Sequence, residues 1–446
     1  MQTLDHADVR SRCRPLLVLC TLVAGLSWLG VAAEGSSSAD IGRAARPGEE
    51  MSAGRHRESR PLSPEAVAGY EGRIGPLEQR LFDDAADGCW HQHTLLAASL
   101  IASGVHDPVA LARHQQRFAA LVAELRRSGR VAGSPVQQAQ AVFEFMHRRI
   151  LTGGYHLEAT DLALPLDQGQ FNCVSASVLF NCLAGEFGLT TRGLEIPGHA
   201  MSRLVLGERS LDLETTCPTW FRILHDPRKQ ADHAEQVLGI HADPPRTADD
   251  AAKPGRADVA ASARGMTLPP LPATRREVSE VELVATIYYN RGVDLLAQKR
   301  FADALAANAK ALRLDSSNLT ARGNLLATIN NWAIELGSQG RYSDAAGLLT
   351  QGMALDPSYN TFKANFVHVY YQWAEDFCRQ DRYEDGVHLL AAALEVLPDE
   401  SYFRQARLDV YRRWARTRFQ SGQEDEAYRV LGEARELYGD LVPARP

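Results

Sequence analysis

The sequence has no excess of positive charge, no disulfide framework and no complete set of metal ligands. Among 446 residues, 48 Lys and Arg stand against 55 Asp and Glu, a formal net charge of −7, and no basic stripe offsets it. That balance removes the electrostatic case for a nucleic-acid partner. Seven cysteines without regular spacing do not staple a small secreted fold. In Cys89-Trp90-His91-Gln92-His93, Cys89 and His93 would lie one helical turn apart. A structural zinc site takes four ligands, and no second pair stands at suitable spacing, so neither a metal nor another cofactor is expected.

Apolar residues are not scarce: 45% hydrophobic content over this length supports two or three domains with real cores. Residues 1–33 carry Arg10, Arg12 and Arg14, then an apolar run from Leu16 to Ala33 that ends in small residues. A cleaved signal peptide and an uncleaved membrane anchor both fit this pattern. Either exports the rest, which would be periplasmic, extracellular or anchored with its domains outside the cytoplasm. Cys20 has no lipobox before it. Beyond the leader remain Cys89, Cys173, Cys182, Cys217 and Cys378, an odd number that leaves a free thiol in an oxidising compartment.

Residues 34–72, rich in Ser, Gly, Arg and Pro, read as a disordered tether. Three amphipathic helices are expected over about 76–103, 107–128 and 134–150, the last two opened by Asp107-Pro108 and Ser134-Pro135. Residues 155–167 read as an irregular approach that lines a cleft. From 226 to 275 the chain loses pattern and becomes Pro-rich, a linker.

The chemistry concentrates in Gly169-Gln170-Phe171-Asn172-Cys173-Val174-Ser175-Ala176-Ser177. Val174, Val178, Leu179, Cys182, Leu183 and Phe187 follow at helical spacing, with Gly188 as a stop. Asn172 is a good N-cap, so Cys173 opens the helix. A thiol there sits at the positive end of the dipole among unpaired N–H groups, which would lower its pKa and could hold an oxyanion. Cys182 falls on the apolar stripe and reads as core. His199 begins an apolar run to Leu206 that reads as a strand; Gly207 breaks it, and 210–216 alternates as a second strand. There Leu211, Leu213 and Thr215 share one face, Asp212 and Glu214 the other. Cysteine, histidine and acid in that order have the logic of a nucleophile, its base and an orienting group.

Residues 169–216 resemble the core of the bacterial transglutaminase-like superfamily, whose thiol site is related to papain-like proteases. The resemblance rests on Asn172-Cys173-Val174-Ser175-Ala176-Ser177, Pro197-Gly198-His199-Ala200 and Leu213-Glu214-Thr215-Thr216, and extends over about 75–225. Two positions depart from it: no Trp follows Cys173, and Met201 stands where animal-type enzymes commonly carry Trp. The resemblance implies an α+β domain over 73–225 and attack on a peptide or Gln-type amide by Cys173, with His199 as base and then acid. Water as acceptor gives a peptidase or amidase, and an amine gives cross-linking.

Hairpin register separates the two acids. Pairing Glu214 with His199 centres the turn on Leu206-Gly207 and sets Asp212 opposite Met201; pairing Asp212 with His199 would put Val205-Leu206 in the turn. The first register, with Glu214 orienting His199 and Asp212 in support, is the expectation.

The last third repeats every 41 residues. Gly292, Ala333, Ala374 and Ala415 keep that step, as do Ala304, Ala345, Gly386 and Ala427, and Trp332, Trp373 and Trp414. Arg300, Arg341 and Arg382 keep it too, each followed by an aromatic, and Pro357 and Pro398 close two units. The pattern resembles tetratricopeptide repeats, which recur about every 34 residues. About seven extra residues make roughly two helical turns, so each first helix would be longer, near 20 residues. Four pairs over 276–440, an all-α solenoid begun by the capping box Ser279-Glu280-Val281-Glu282, are expected, with a groove for a protein partner. A different reading stays open: a non-catalytic scaffold using both regions for protein–protein interaction.

Overall fold

The computed structural model describes Leu62, residues 64–196, 198–226, 228–230, 275–443 and Arg445. The expected leader, most of the tether, Pro197 and nearly all of the linker lie outside these residues. The chain divides into two compact units: one takes residues to Asp294 together with Ala306–Arg322, the other Leu295–Leu305 with Gly323–Pro446. The architecture is mainly helical, with a small sheet region and a C-terminal helical repeat-like stack.

The first unit begins inside the expected tether. Helix α1 (Pro64–Ala68) buries Val67 completely, and Glu71 pairs with Arg313 at 3.0 Å. The helix expected over 76–103 is two helices, α2 (Pro76–Asp84) and α3 (Leu95–Ala102). Asp84 causes the break. Its carboxylate accepts the backbone N–H groups of His91, Gln92 and His93 at 2.9–3.1 Å, and His93 Nδ1 lies 2.9 Å away. The Cys89–His93 stretch is therefore a loop wound on one carboxylate, and Thr94 caps α3. Next come α4 (Pro108–Arg127) and α5 (Pro135–Phe145), capped by Asp107 and Ser134 with Pro at the first position. The final turn, Met146–Ile150, is π-helical.

Strand β1 (Gly154–Tyr155), helix α6 (Ala163–Gln168) and strand β2 (Gln170–Phe171) lead to helix α7 (Cys173–Gly185), with β1 and β2 parallel. Helix α7 ends two residues before Phe187, and Gly188 takes a positive φ of 74° in the turn that follows. Strands β3 (Thr191–Ile196), β4 (His199–Leu206) and β5 (Arg209–Leu213), short helix α8 (Trp220–Ile223) and strand β6 (Arg276–Val278) complete the set. The sheet runs β5-β4-β3-β6, antiparallel throughout. The first residues of the stretch expected to hold the repeats, 276–440, are thus a strand, paired Gly193↔Val278. At Gly193 a Cβ would fall 2.5 Å from Val278 Cγ2 and 2.9 Å from Leu283 Cδ1, so glycine lets these side chains close on the sheet.

The β4–β5 register differs from the expectation by two residues. Arg203 faces Asp212 and Leu206 faces Arg209, leaving Gly207-Glu208 as the loop. Gly207 has φ 66° and Glu208 no positive φ, the pattern of a type II′ turn. The physical reason is that this register gives the positive φ to glycine and keeps Leu206 in the strand.

Helix α9 (Glu280–Ala297) starts with the expected box: Glu282 Oε2 accepts from Ser279 N at 2.7 Å, and Ser279 Oγ from Glu282 N at 3.3 Å. Helix α10 (Phe301–Leu314) follows. The first unit, expected to close at 225, takes in the start of α9 and the end of α10. There Glu78 of α2, buried, accepts Tyr288 Oη at 2.9 Å and Lys310 Nζ at 2.8 Å.

Helices α11 (Leu319–Ser338), α12 (Tyr342–Leu355), α13 (Asn360–Arg379), α14 (Tyr383–Val396), α15 (Ser401–Gln420) and α16 (Glu424–Tyr438) follow. First helices have 18–20 residues and second helices 14–15, with no extra helix inside a unit among the described residues. In the second unit the period acquires a physical cause. Phe301, Tyr342 and Tyr383 stack on Trp332, Trp373 and Trp414, ring centroids 6.1–6.4 Å apart. Arg300, Arg341 and Arg382 each bond the Asp three residues on, at 2.7–2.9 Å across a helix start. Lys299, Gly340, Asp381 and Gly422, also 41 apart, all have positive φ and turn each pair. Among the described residues no helix is long and apolar enough to cross a membrane.

Lys310→Met leaves the Glu78 carboxylate buried with only Tyr288 against it. Removing one partner of a buried ion pair costs about 3–5 kcal/mol. Chemical unfolding should show that loss for Lys310→Met, and an unchanged midpoint would mean the pair carries no stability.

Candidate active site

The start of α7 is built by side-chain caps. Asn172 Oδ1 accepts from Val174 N at 3.0 Å and Ser175 N at 3.1 Å, and Ser175 Oγ accepts from Asn172 N at 3.0 Å. Asn172 Nδ2 also donates to Leu157 O at 2.9 Å and Thr160 Oγ1 at 2.7 Å. The approach segment is thereby tied to the helix start. Gly169, at φ 72°, permits the preceding turn: a Cβ there would meet Gly153 N at 2.7 Å and Ile150 O at 2.8 Å. The cap corrects one expectation. Val174 and Ser175 N–H are already occupied, so they do not await an oxyanion; the cap leaves the Cys173 N–H out of its bonds.

Cys173, 8% exposed, lies beside buried His199 at the start of β4. His199 Nε2 is 2.6 Å from Glu214 Oε2. Its Nδ1 is buried without a partner of full hydrogen-bond geometry, and is the nitrogen left for the Cys173 thiol. Charge and a loose hydrogen bond nonetheless couple thiol and ring, an approach that catalytic pairs tighten on binding substrate. Glu214 has its other oxygen filled by Thr216 N at 3.0 Å and Thr216 Oγ1 at 2.6 Å. Just past the β5 ladder, it reaches His199 diagonally, not from the opposite position. Thr215 Oγ1 meets Ser177 Oγ of α7 at 2.8 Å, fixing the acid's segment to the cysteine helix.

The ionisation states follow. Burial opposes a Cys173 thiolate, but the His199 charge, its hydrogen bond and the Ala200 N–H outweigh burial and hold the thiol below its ordinary pKa. Burial opposes a charged His199 too, yet the Glu214 and Cys173 charges raise it well above 6.5. Burial works against ionised Glu214, while His199 and the Thr216 bonds hold it to about 2. These shifts all favour an imidazolium between two anions. By contrast, Cys182 is partly covered by area but densely surrounded. Burial, then Glu280 and Glu186, pushes its thiol well up, so it is unsuited to nucleophilic work. The five cysteines among the described residues are free thiols.

Asp212 does not reach His199. Its carboxylate takes Arg203 Nε at 2.6 Å, Arg203 Nη2 at 3.0 Å and Arg275 Nη1 at 3.1 Å, and its carbonyl takes Trp220 Nε1 at 3.0 Å. The corrected register explains this, because Arg203 is its direct cross-strand partner. Sequence reasoning passed over His147, on the π-helical turn. Its ring lies 4.7 Å from that of Phe143, and burial pushes it down to about 4 despite the Thr215 carbonyl and Glu214, so it is neutral. It also passed over Glu195 and Tyr289, 3.2 Å apart. None of the three carries a motif; only the fold brings His147 toward Glu214 and Tyr289 toward the thiol.

The chain matches no protein-family model, no curated protein and no solved structure.

The two charged partners act on stability with opposite signs. Glu214, lowered from 4.5 to about 2, contributes stability present above 4.5 and lost as pH falls toward 2. His199, raised, contributes stability complete below 6.5 and lost as pH rises through its folded value. Glu214→Gln should therefore flatten the fall in Tm between those acid limits. It should also slow iodoacetamide labelling of Cys173 near pH 6 about tenfold or more, one pKa unit being a factor of ten. Asp212→Asn should lower Tm and leave labelling within about twofold, since a factor of two is well under one pKa unit. The reverse ranking would assign the orienting role to Asp212.

Proposed function

We propose that the chain is a transglutaminase-like, papain-related cysteine enzyme acting on a peptide or Gln-type amide, with tetratricopeptide-like repeats that bind a protein partner. The observation that carries the reading is the buried His199–Glu214 contact of 2.6 Å beside a thiol at a helix start. The N-terminal basic residues and apolar run support export, to the periplasm, the exterior or a membrane anchor.

In this reading the Cys173 thiolate attacks the amide carbonyl and a C–S bond forms. The carbonyl electrons move to oxygen, where the Cys173 N–H, outside the bonds of the cap, can donate. Protonated His199 gives its proton to the departing nitrogen as the C–N bond breaks, leaving a thioester. Neutral His199 then takes a proton from the acceptor, water or an amine, which attacks the thioester and releases the thiolate. Glu214 holds the ring's orientation throughout and favours its charged form.

The 8% exposure of Cys173 favours the alternative, a non-catalytic scaffold. Full-length protein incubated with glutaminyl peptides separates the two. Ammonia release or amine incorporation that Cys173→Ser abolishes with little change in Tm, and that Cys182→Ser retains, supports the enzyme. Absence of both reactions, together with a thiol inert below its usual pKa of about 8.5, supports the scaffold.

A further inference from the structure

Outside the set of Cys173, His199 and Glu214, the first unit holds a cavity of about 490 Å³ along α4, a size that accepts small ligands. Arg117, Glu124 and Arg127 of α4 line it, with Arg149 of the π-helical turn, Asp167 of α6 and Gly169 at the end of that helix. This lining has more donors than acceptors. Both Glu124 oxygens take Arg149 Nε, at 2.9 and 3.2 Å. Asp167 Oδ2 lies 3.0 Å from His114 Nε2, and its Oδ1 takes Arg117 Nη1 at 3.5 Å. Arg127 bonds the Ala123 carbonyl through Nε at 3.2 Å. A guanidinium is a fork of N–H donors with no acceptor. Among the described residues, both Nη groups of Arg127 and Arg149 and Nη2 of Arg117 therefore bond nothing within the protein. Three positive charges meet two negative ones, and both negative groups are already engaged.

The partner that completes this cavity is thus an acceptor and an anion. Its shape follows from the helix. Arg117 and Arg127 stand ten residues apart on α4, about 15 Å along its axis. A single phosphate or carboxylate does not bridge that distance; an extended peptide of about five residues does. Guanidinium forks match the planar edge of carboxylates. We propose that the cavity binds an extended acidic peptide, its carboxylates on Arg117 and Arg127, with Arg149, held by Glu124, between them. The site uses no chemistry of Cys173. Gly169 on its wall is nonetheless joined to Cys173 by four residue steps, at most about 14 Å of chain. A peptide held there lies beside the start of the thiol helix.

The test is fluorescence anisotropy on the full chain with a dye-labelled peptide of about five residues, carrying Glu at both ends, and a counterpart carrying Gln. Near 0.1 M salt the Glu peptide should bind about tenfold more tightly, as two exposed charge pairs give. High salt should remove that difference. Arg127 belongs to no ion pair among the described residues, so Arg127→Gln leaves the fold's own pairs intact. It should weaken the Glu peptide about threefold to fivefold. Arg209→Gln, the same loss of charge at an exposed residue outside the cavity, should leave binding within about twofold. Equal binding of the two peptides, binding of neither, or equal losses in the two variants overturns the site. Full displacement of the peptide by an equal concentration of glutarate overturns the peptide assignment, because a small dicarboxylate then suffices. Anisotropy reads binding alone, so each outcome is independent of turnover at Cys173.

Discussion

The contact between His199 and Glu214 is the constraint on which the first compact unit depends. An imidazolium and a carboxylate, both almost fully buried, are tolerable only when paired and when every remaining polar atom is filled. The structure meets that condition at Glu214 and leaves His199 Nδ1 to the thiol. Thr216 fills the second Glu214 oxygen, Ser177 holds Thr215, and the thiol supplies the second anion beside the ring. Each of these groups comes from a different turn of chain. The caps on α7, the diagonal reach past β5 and the Ser177–Thr215 contact are therefore parts of one electrostatic arrangement.

The repeat stack of the second unit obeys a different physics. Nothing there is chemically demanding; what recurs is a left-handed residue, an Arg–Asp bond across the next helix start, and an aromatic ring stacked on a Trp. The first is conformational: glycine at 340 and 422 adopts positive φ freely, whereas Lys299 and Asp381 do so against their side chains. The ring stack fixes how one helix meets its neighbour, while the Arg–Asp bond is local to one helix start. A period longer than about 34 residues is accommodated because the added length lies within a helix and returns the same face to the same neighbour.

Much of this was legible in the sequence, for local reasons. Asn172 at an N-cap, Pro after Asp107 and Ser134, the Ser279–Glu282 box and the 41-residue step are short-range signals, and short-range bonds decide them. What escaped was decided at long range. The break at Asp84 needs a carboxylate to meet three N–H groups of a later loop. The π-helical turn carrying His147 looks like ordinary helix in sequence. The hairpin register slipped because the turn was centred one residue early; giving Gly207 the first loop position moves every pair by two. A two-residue shift preserves which face each side chain occupies, so Asp212 and Glu214 still share the His199 side. It changes only their reach, handing Asp212 to Arg203 and leaving Glu214 for the histidine.

Strand β6 was invisible because three residues pairing with β3 after a long patternless stretch have no periodicity to read. Yet the site is unfinished without them. Asp212 is neutralised by Arg275 as well as Arg203, and Glu195 accepts from Arg276 and Tyr289; Arg275, Arg276 and Tyr289 all lie beyond residue 274. The contiguous stretch from 73 to 225 therefore contains the thiol, the base and the acid, but not the countercharges that make burying its other carboxylates tolerable. Those arrive with β6 and α9, which also bring Tyr288 to Glu78. The segment that holds Cys173, His199 and Glu214 and the helices α9 and α10 are for that reason one electrostatic unit.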